Sequence, residues 1–246
     1  MTTLAYHKVD RRFELGLTTV DPVAFKRHVQ VIHDAGYTIG NSVFVEREIG
    51  SGVCMTFDDG YDCFFRNVIP VLTPIGASAT TFVITDYVGR TNAWDLRLSY
   101  RPYLHMNASQ LREASDLGFE VGSHTRSHRD ITRLGPDSVK EELAGSKKCI
   151  EDIIGKEVEA LSFPYGKHDR RVAELAFELG YKRVFGMGLS VSAGALGRIP
   201  VYKFDSAAAV LRKVKLNRLE ILKSAFIHSF SGFSALISTR MTTKST

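Results

Sequence analysis

Cysteine is scarce, at three residues in 246, and Cys54, Cys63 and Cys149 are scattered with no C-x-x-C pair. That argues against a disulfide framework and against a cysteine zinc site, and makes a reducing compartment the simpler expectation. No apolar run is long enough to suggest a membrane-spanning helix. The start, Met1-Thr2-Thr3-Leu4-Ala5-Tyr6-His7-Lys8, lacks the basic segment followed by an apolar one that marks a secretory leader. The expectation is therefore a cytoplasmic chain, peripheral at most to the inner membrane face. Internal repeats and low-complexity linkers are missing as well, so one globular domain is expected. Acidic residues thin out beyond Tyr202, where Lys203, Arg212, Lys213, Lys215, Arg218, Lys223, Arg240 and Lys244 face only Asp205 and Glu220. This tail accounts for the whole of the formal net charge of +5, the rest of the chain being close to neutral. A nucleic-acid site would set cations among aromatics on the folded body, so no nucleic-acid partner is expected.

What is present alternates between strand and helix signals. Leu4 to His7 reads as a first strand, and Asp21-Pro22 reads as an N-cap with proline at the first helical position. A short strand at Ser42 to Val45 and a buried one at Val53 to Phe57 follow. The latter stops in Asp58-Asp59-Gly60. Phe64 to Leu72 has helical spacing, and Ala79 to Thr85 is a β-branched run. Tyr87 to His105 carries no periodicity; its Trp94, Tyr87, Tyr100 and Tyr103 are placed either to stack on a ligand or to pack under a loop. Asn107 and Gln110 form a capping-box signature. Strands at 119–121, 160–163, 183–185 and 199–201 alternate with helices at 137–154 and 169–179. The pattern implies an α/β fold of parallel units, either a barrel or an open sheet.

The chemistry gathers at the carboxyl ends of these strands, where α/β enzymes carry their sites. Two adjacent carboxylates cannot both be buried and ionised without a positive neighbour, most simply a metal ion. His124-Thr125-Arg126-Ser127-His128 puts two histidines at i and i+4, which on a helical turn would share one face. Together the acids and imidazoles make an O,N,N donor set that leaves room for water and substrate, as catalytic rather than structural sites do. Phe163-Pro164-Tyr165-Gly166 ends a further strand, and is either an ordinary loop or a rigid turn aiming a backbone N–H at an oxyanion.

Thr56-Phe57-Asp58-Asp59-Gly60, His124 to His128 and Phe163 to Gly166, in this order and spacing, resemble the first three motifs of the polysaccharide deacetylases, carbohydrate esterase family four. The likeness runs from Leu4 to Val201, and Tyr6-His7 together with Arg198-Ile199-Pro200-Val201 resembles the branch that includes biofilm polysaccharide deacetylases. The resemblance implies a distorted (β/α)7 barrel, with the motif order permuted in that branch. It implies that Asp59, His124 and His128 bind a divalent transition metal, commonly zinc, with Co2+, Ni2+ or Mn2+ as alternatives. Asp58 would be the general base, the Tyr165 N–H an oxyanion donor and His7 the general acid. A C-terminal histidine serves as acid in many members, but the surroundings of His228 match that motif poorly. An arginine that often precedes the third motif is replaced here by Ala160-Leu161-Ser162, and Arg198 is the candidate to orient Asp58 in its stead.

The implied activity is a metal-dependent hydrolase removing the N-acetyl group from an amino sugar in an oligo-, poly- or lipid-linked saccharide. The alternatives are amide hydrolysis on a non-sugar C–N bond and an inactive saccharide-binding relative. Residues 1–205 are expected to form the catalytic domain and 206–246 a basic, partly apolar helix and tail. One helix is expected over Ala207 to Ile227, serving either as a last barrel helix or as an interfacial helix touching anionic lipid. Oligomeric state is left open.

Overall fold

The computed structural model describes residues 1–12, 14, 16–44, 51–92, 102–189 and 192–227. The predicted residues Trp94, Tyr100 and His228 lie outside them. The strands are β1 (Thr2–Tyr6), β2 (Lys8–Val9), β3 (Thr19–Val20), β4 (Thr38–Gly40), β5 (Gly52–Phe57), β6 (Thr80–Val83), β7 (Glu120–Ser123), β8 (Ala160–Ser162), β9 (Arg183–Phe185) and β10 (Ile199–Pro200). The helices are α1 (Pro22–Asp34), α2 (Ile69–Leu72), α3 (Ala108–Asp116), α4 (Pro136–Ile154), α5 (Arg170–Glu178) and α6 (Ala207–Val214).

Seven strands pair in the order β10-β1-β5-β6-β7-β8-β9, every ladder parallel, and the sheet curls into a distorted (β/α) barrel with helices outside. β4 pairs with the first half of β5, from Thr38↔Gly52 to Gly40↔Cys54, and β6 takes the second half at Thr56↔Thr80 and Phe57↔Thr81. Between β9 and β10 the chain at Leu196 to Arg198 bridges the seam, through Leu196 N–H to Val184 O (2.8 Å), Gly186 N–H to Leu196 O (3.0 Å) and Gly188 N–H to Arg198 O (2.9 Å).

Side-chain alternation along β5 divides the interior into two cores. Val53, Met55 and Phe57 join the main core under the helices, with Phe25, Val29 and Ile32 of α1 among their partners in that cluster. The opposite face carries Cys54 and Thr56 toward the barrel axis, where Phe82, Ala160 and Phe185 form a small separate cluster. Caps start the helices where the sequence predicts them. Asp21 accepts from Val23 and Ala24 N–H, Asn107 and Gln110 make a reciprocal box, and Asp169 accepts from Val172 N–H. Each such cap contributes about 1 kcal/mol.

Two expectations need correction. No strand begins at Ser42: residues 42–43 form a turn, and the edge strand is Thr38–Gly40. Ser42 is held by side chains instead, donating N–H to Thr80 Oγ1 (2.8 Å) and accepting from Arg183 Nε (2.9 Å). The predicted single helix over 207–227 is two, 207–214 and 218–227, separated at Leu216 and Asn217, where Leu216 has φ 55° and Asn217 caps the second helix through Leu219 N–H (3.1 Å). The first of the pair is anchored to the barrel: Thr2 Oγ1 donates to Val214 O (2.9 Å), and buried Lys213 donates to Pro200 O (2.8 Å) and Asp205 Oδ2 (2.5 Å).

Candidate metal centre and active site

The backbone separates the two adjacent acids. Asp58 still follows the strand, its N–H bonded to Tyr6 O (2.9 Å), so by alternation its side chain points to the barrel axis as Thr56 does. Asp59 then takes φ 73° and Gly60 φ 71°, which turns the chain and sends the Asp59 carboxylate toward the histidines. A side chain at Gly60 would press on the Val83 backbone at 3.1 Å. The Asp59 carbonyl accepts from His105 Nδ1 (2.8 Å), and His105 is wholly buried.

At the axis, Arg198 meets Asp58 end-on through both terminal nitrogens, Nη1 to Oδ1 at 2.7 Å and Nη2 to Oδ2 at 3.0 Å. Its other three N–H groups go to Thr56 Oγ1 (3.0 Å), Ser162 Oγ (2.7 Å) and Gly186 O (3.2 Å). Five donors thus have five acceptors, and the guanidinium carbon lies 5.4 Å from the Phe82 ring centre and 5.8 Å from that of Phe185. Ser162, standing where the sequence lacks an arginine, accepts from the arginine that immediately precedes β10. Burial alone would raise the Asp58 carboxyl, but Arg198, with His124 and His7, holds it well below the usual carboxylate range.

His124 Nε2 is 3.5 Å and His128 Nε2 3.6 Å from Asp59 Oδ1, and all three side chains are buried. His124 Nδ1 donates to Ser162 O (2.7 Å), which fixes the tautomer and leaves Nε2 with its lone pair facing Asp59. Burial lowers both imidazoles, so both are neutral donors at neutral pH. Among the described residues these three form the metal-ligating group, their donor atoms all within 4.8 Å of one another. Two nitrogens and one carboxylate oxygen converge there, and the donor set fits a divalent transition metal.

The two histidines do not share a helical turn, contrary to the i, i+4 reading. Residues 124–128 are irregular, with Thr125 at φ 64° and His128 at φ 60°. Glu142, from the middle of α4, organises this loop. Its Oε2 accepts the N–H of Arg126 and of Ser127, each at 2.9 Å, and its Oε1 accepts from Ser127 Oγ (2.5 Å) and Arg129 Nη2 (2.9 Å). Burial raises the Glu142 carboxyl, but these donors more than offset it and the net shift is downward. Nothing in the sequence singled out Glu142 or the bond from His105. Each acts through a backbone group that carries no residue signature.

Tyr165 has φ 59° and Gly166 φ 68°, so the third motif is a tight left-handed turn. The Tyr165 ring packs edge-on against His128 with centres 4.7 Å apart. A Cβ on Gly166 would lie 2.3 Å from Met187 Cβ, so only glycine fits. His7 follows β1 directly and brings Nε2 to 4.0 Å from Asp58 Oδ2. Desolvation lowers its imidazole to about 4 despite the attraction of Asp58. Of the other histidines, His28 is buried between Tyr6 Oη (3.3 Å) and Asp205 O (2.9 Å), and His168 stacks on Phe163. Tyr103 is packed against Tyr61.

The family model for polysaccharide deacetylase matches residues 47–184. YxkH of Bacillus subtilis is 27% identical over 221 residues, covering 87% of this chain and 70% of that protein. The poly-beta-1,6-N-acetyl-D-glucosamine N-deacetylase of Staphylococcus epidermidis is 28% identical over 156 residues, covering 61% of this chain and 50% of that protein. Among solved structures, the Streptococcus pyogenes deacetylase PplD in complex with acetate superposes with a TM-score of 0.75 at 22% identity, over 87% of this chain and 97% of that one. At that identity the likeness is one of fold.

Proposed function

The chain belongs to the polysaccharide deacetylase family, and on that footing we propose that it hydrolyses the N-acetyl group of an amino sugar in an oligo-, poly- or lipid-linked saccharide. The observation that carries the reading is the Asp59–His124–His128 group lying beside a second carboxylate, Asp58, that Arg198 keeps ionised. The name of the Staphylococcus epidermidis relative supports an N-acetylated saccharide as substrate.

Asp59, His124 and His128 would hold the metal, with zinc the first choice and cobalt, nickel or manganese the alternatives. When bound, such an ion lowers the pKa of a water molecule and polarises a carbonyl oxygen. Asp58 takes a proton from the attacking water as its oxygen adds to the acetyl carbon. The N–H of Tyr165 is assigned as a donor to the resulting oxyanion. When the C–N bond breaks the leaving nitrogen needs a proton. His7 is neutral at rest and 4.0 Å from Asp58, so it suits passing on the proton that Asp58 acquired. Acetate and a free amine leave.

Acetate release from N-acetylglucosamine oligomers, measured with and without chelator, tests the reading. Release that chelator abolishes and added metal restores is expected. Metal-loaded protein that releases no acetate from any N-acetylated saccharide would overturn it.

A further inference from the structure

A surface helix ordinarily turns its apolar side to the core. Helix 218–227 does the reverse. Its inward side carries Glu220 and Ser224, both buried. Glu220 accepts from Arg212 through Nε (3.0 Å) and Nη2 (2.6 Å), and Ser224 O accepts from Tyr202 Oη (3.5 Å). Ile221 adds apolar contact with the main core. Leu219, Leu222 and Phe226, spaced i, i+3 and i+7, share the outward side and are 76%, 66% and 66% exposed. Phe204 and Leu216, also exposed, lie at the ends of the segments flanking this helix, and Lys223 Nζ is 5.8 Å from the Phe204 ring centre.

A contiguous apolar face of this kind marks an interaction site. Its charge selects the partner. Lys215, Arg218 and Lys223 are exposed around it, while Glu220, the acid on the same helix, is already engaged by Arg212. From Ile221 to Thr246 the sequence has no Asp or Glu, and Phe230, Phe233, Leu236, Ile237, Arg240 and Lys244 continue the apolar and cationic composition. Two copies meeting through this face would oppose cation to cation, which disfavours self-association.

We propose that this face docks on an anionic lipid surface, the leucines and phenylalanine entering the acyl boundary and the cations meeting headgroup phosphates. Tyr202 follows β10, and its hydroxyl reaches Ser224, so the second half of the helix lies toward the end of the barrel that carries Asp58 and His7. A chain docked there would work on saccharide close to a membrane. The inference stands independently of which acetylated substrate is cleaved.

The full chain, sedimented with phosphatidylcholine vesicles and with vesicles also containing phosphatidylglycerol, provides the test. Pelleting with the anionic vesicles alone, reversed by high salt, is expected. Exchange of one cation, Arg218→Gln or Lys223→Gln, should lower the partition coefficient about fivefold. Leu219→Ser and Leu222→Ser combined should abolish pelleting while the melting temperature and acetate release stay unchanged, because both side chains are largely exposed. Absence of pelleting with anionic vesicles, equal pelleting with both compositions, or a concentration-dependent dimer that the double variant abolishes would overturn the proposal.

Discussion

Replacing Arg198 by methionine should turn the most strongly held carboxylate of the site into its least comfortable one. In the native chain Asp58 is buried, and Arg198 donates two of its five hydrogen bonds to it. Removing one partner of a buried ion pair costs about 3–5 kcal/mol, because the other charge is left uncompensated. At roughly 2–4 °C per kcal/mol for a chain of this size, the melting temperature should fall by about 10 °C at neutral pH. The pH dependence separates charge from packing. A carboxyl held below its unfolded pKa adds stability above that unfolded pKa, and the contribution is lost as pH falls through the folded value. In Arg198→Met the burial that already opposes ionisation goes largely unanswered, so Asp58 moves upward and its stability contribution declines as pH rises. The gap between native and variant melting temperatures should therefore widen from pH 3 to pH 7 and narrow again on acidification. Scanning calorimetry of metal-free protein across that range is the assay. A gap independent of pH would mean that Arg198 acts only by filling space between Phe82 and Phe185, and would refute the electrostatic account. So would a double-mutant cycle with Asp58→Asn that gives no coupling energy.

The paired acids should respond differently to one change: Asp58→Asn should retain metal through desalting and lose about 10²–10⁴-fold in turnover, whereas Asp59→Asn should lose metal, read by elemental analysis. Glu142→Gln keeps the shape of the side chain that gathers the Arg126 and Ser127 amides but loses its charge, and metal affinity should drop roughly 10–100-fold. Calorimetric titration with zinc checks that, and an unchanged affinity would remove Glu142 from the loop's support. Gly166→Ala forces a side chain onto Met187 at a left-handed position, so a loss of about 2–4 kcal/mol in stability is expected by denaturant unfolding; a neutral result would mean that the 165–166 turn yields easily.

The elements whose local chemistry is complete in a few consecutive residues were legible in the sequence. Asp21-Pro22, the Asn107 and Gln110 box and Asp169 each satisfy backbone donors within three residues, and the helices begin there. The run from Val53 to Phe57 into two acids carried both the central strand and its chemistry. What failed depends on partners distant in the chain. Ser42 to Val45 has the composition of a strand, but β5 has only one free half-edge at that level, and Thr38–Gly40 occupies it. His124 and His128 have helical spacing, yet Thr125 and His128 take left-handed conformations that no helical turn contains, in a loop whose Arg126 and Ser127 amides the distant Glu142 holds. Arg198 could be named as a candidate from its strand-end position. Its five acceptors, drawn from Thr56, Asp58, Ser162 and Gly186, could not be read from any one stretch.

The division of labour between Asp58 and Asp59 also follows from backbone geometry. Side chains of consecutive extended residues point to opposite faces, so a continued strand would have buried Asp59 among the apolar residues that surround Phe57. The left-handed turn at Asp59 prevents this by lifting its carboxylate over the end of the sheet, where β7 delivers the histidines. A non-glycine residue at φ 73° carries a conformational cost of about 1–2 kcal/mol, which persists because neighbouring structure holds it. His105 supplies part of that hold at the Asp59 carbonyl, and the packing of Gly60 on Val83 supplies another. The same turn leaves Asp58 just past the end of β5, in reach of Arg198 and His7. One reversal of the backbone thus gives adjacent carboxylates separate partners. Loosening it with His105→Ala should accordingly weaken metal binding while leaving the Arg198–Asp58 pair, and its pH-dependent stability, unchanged.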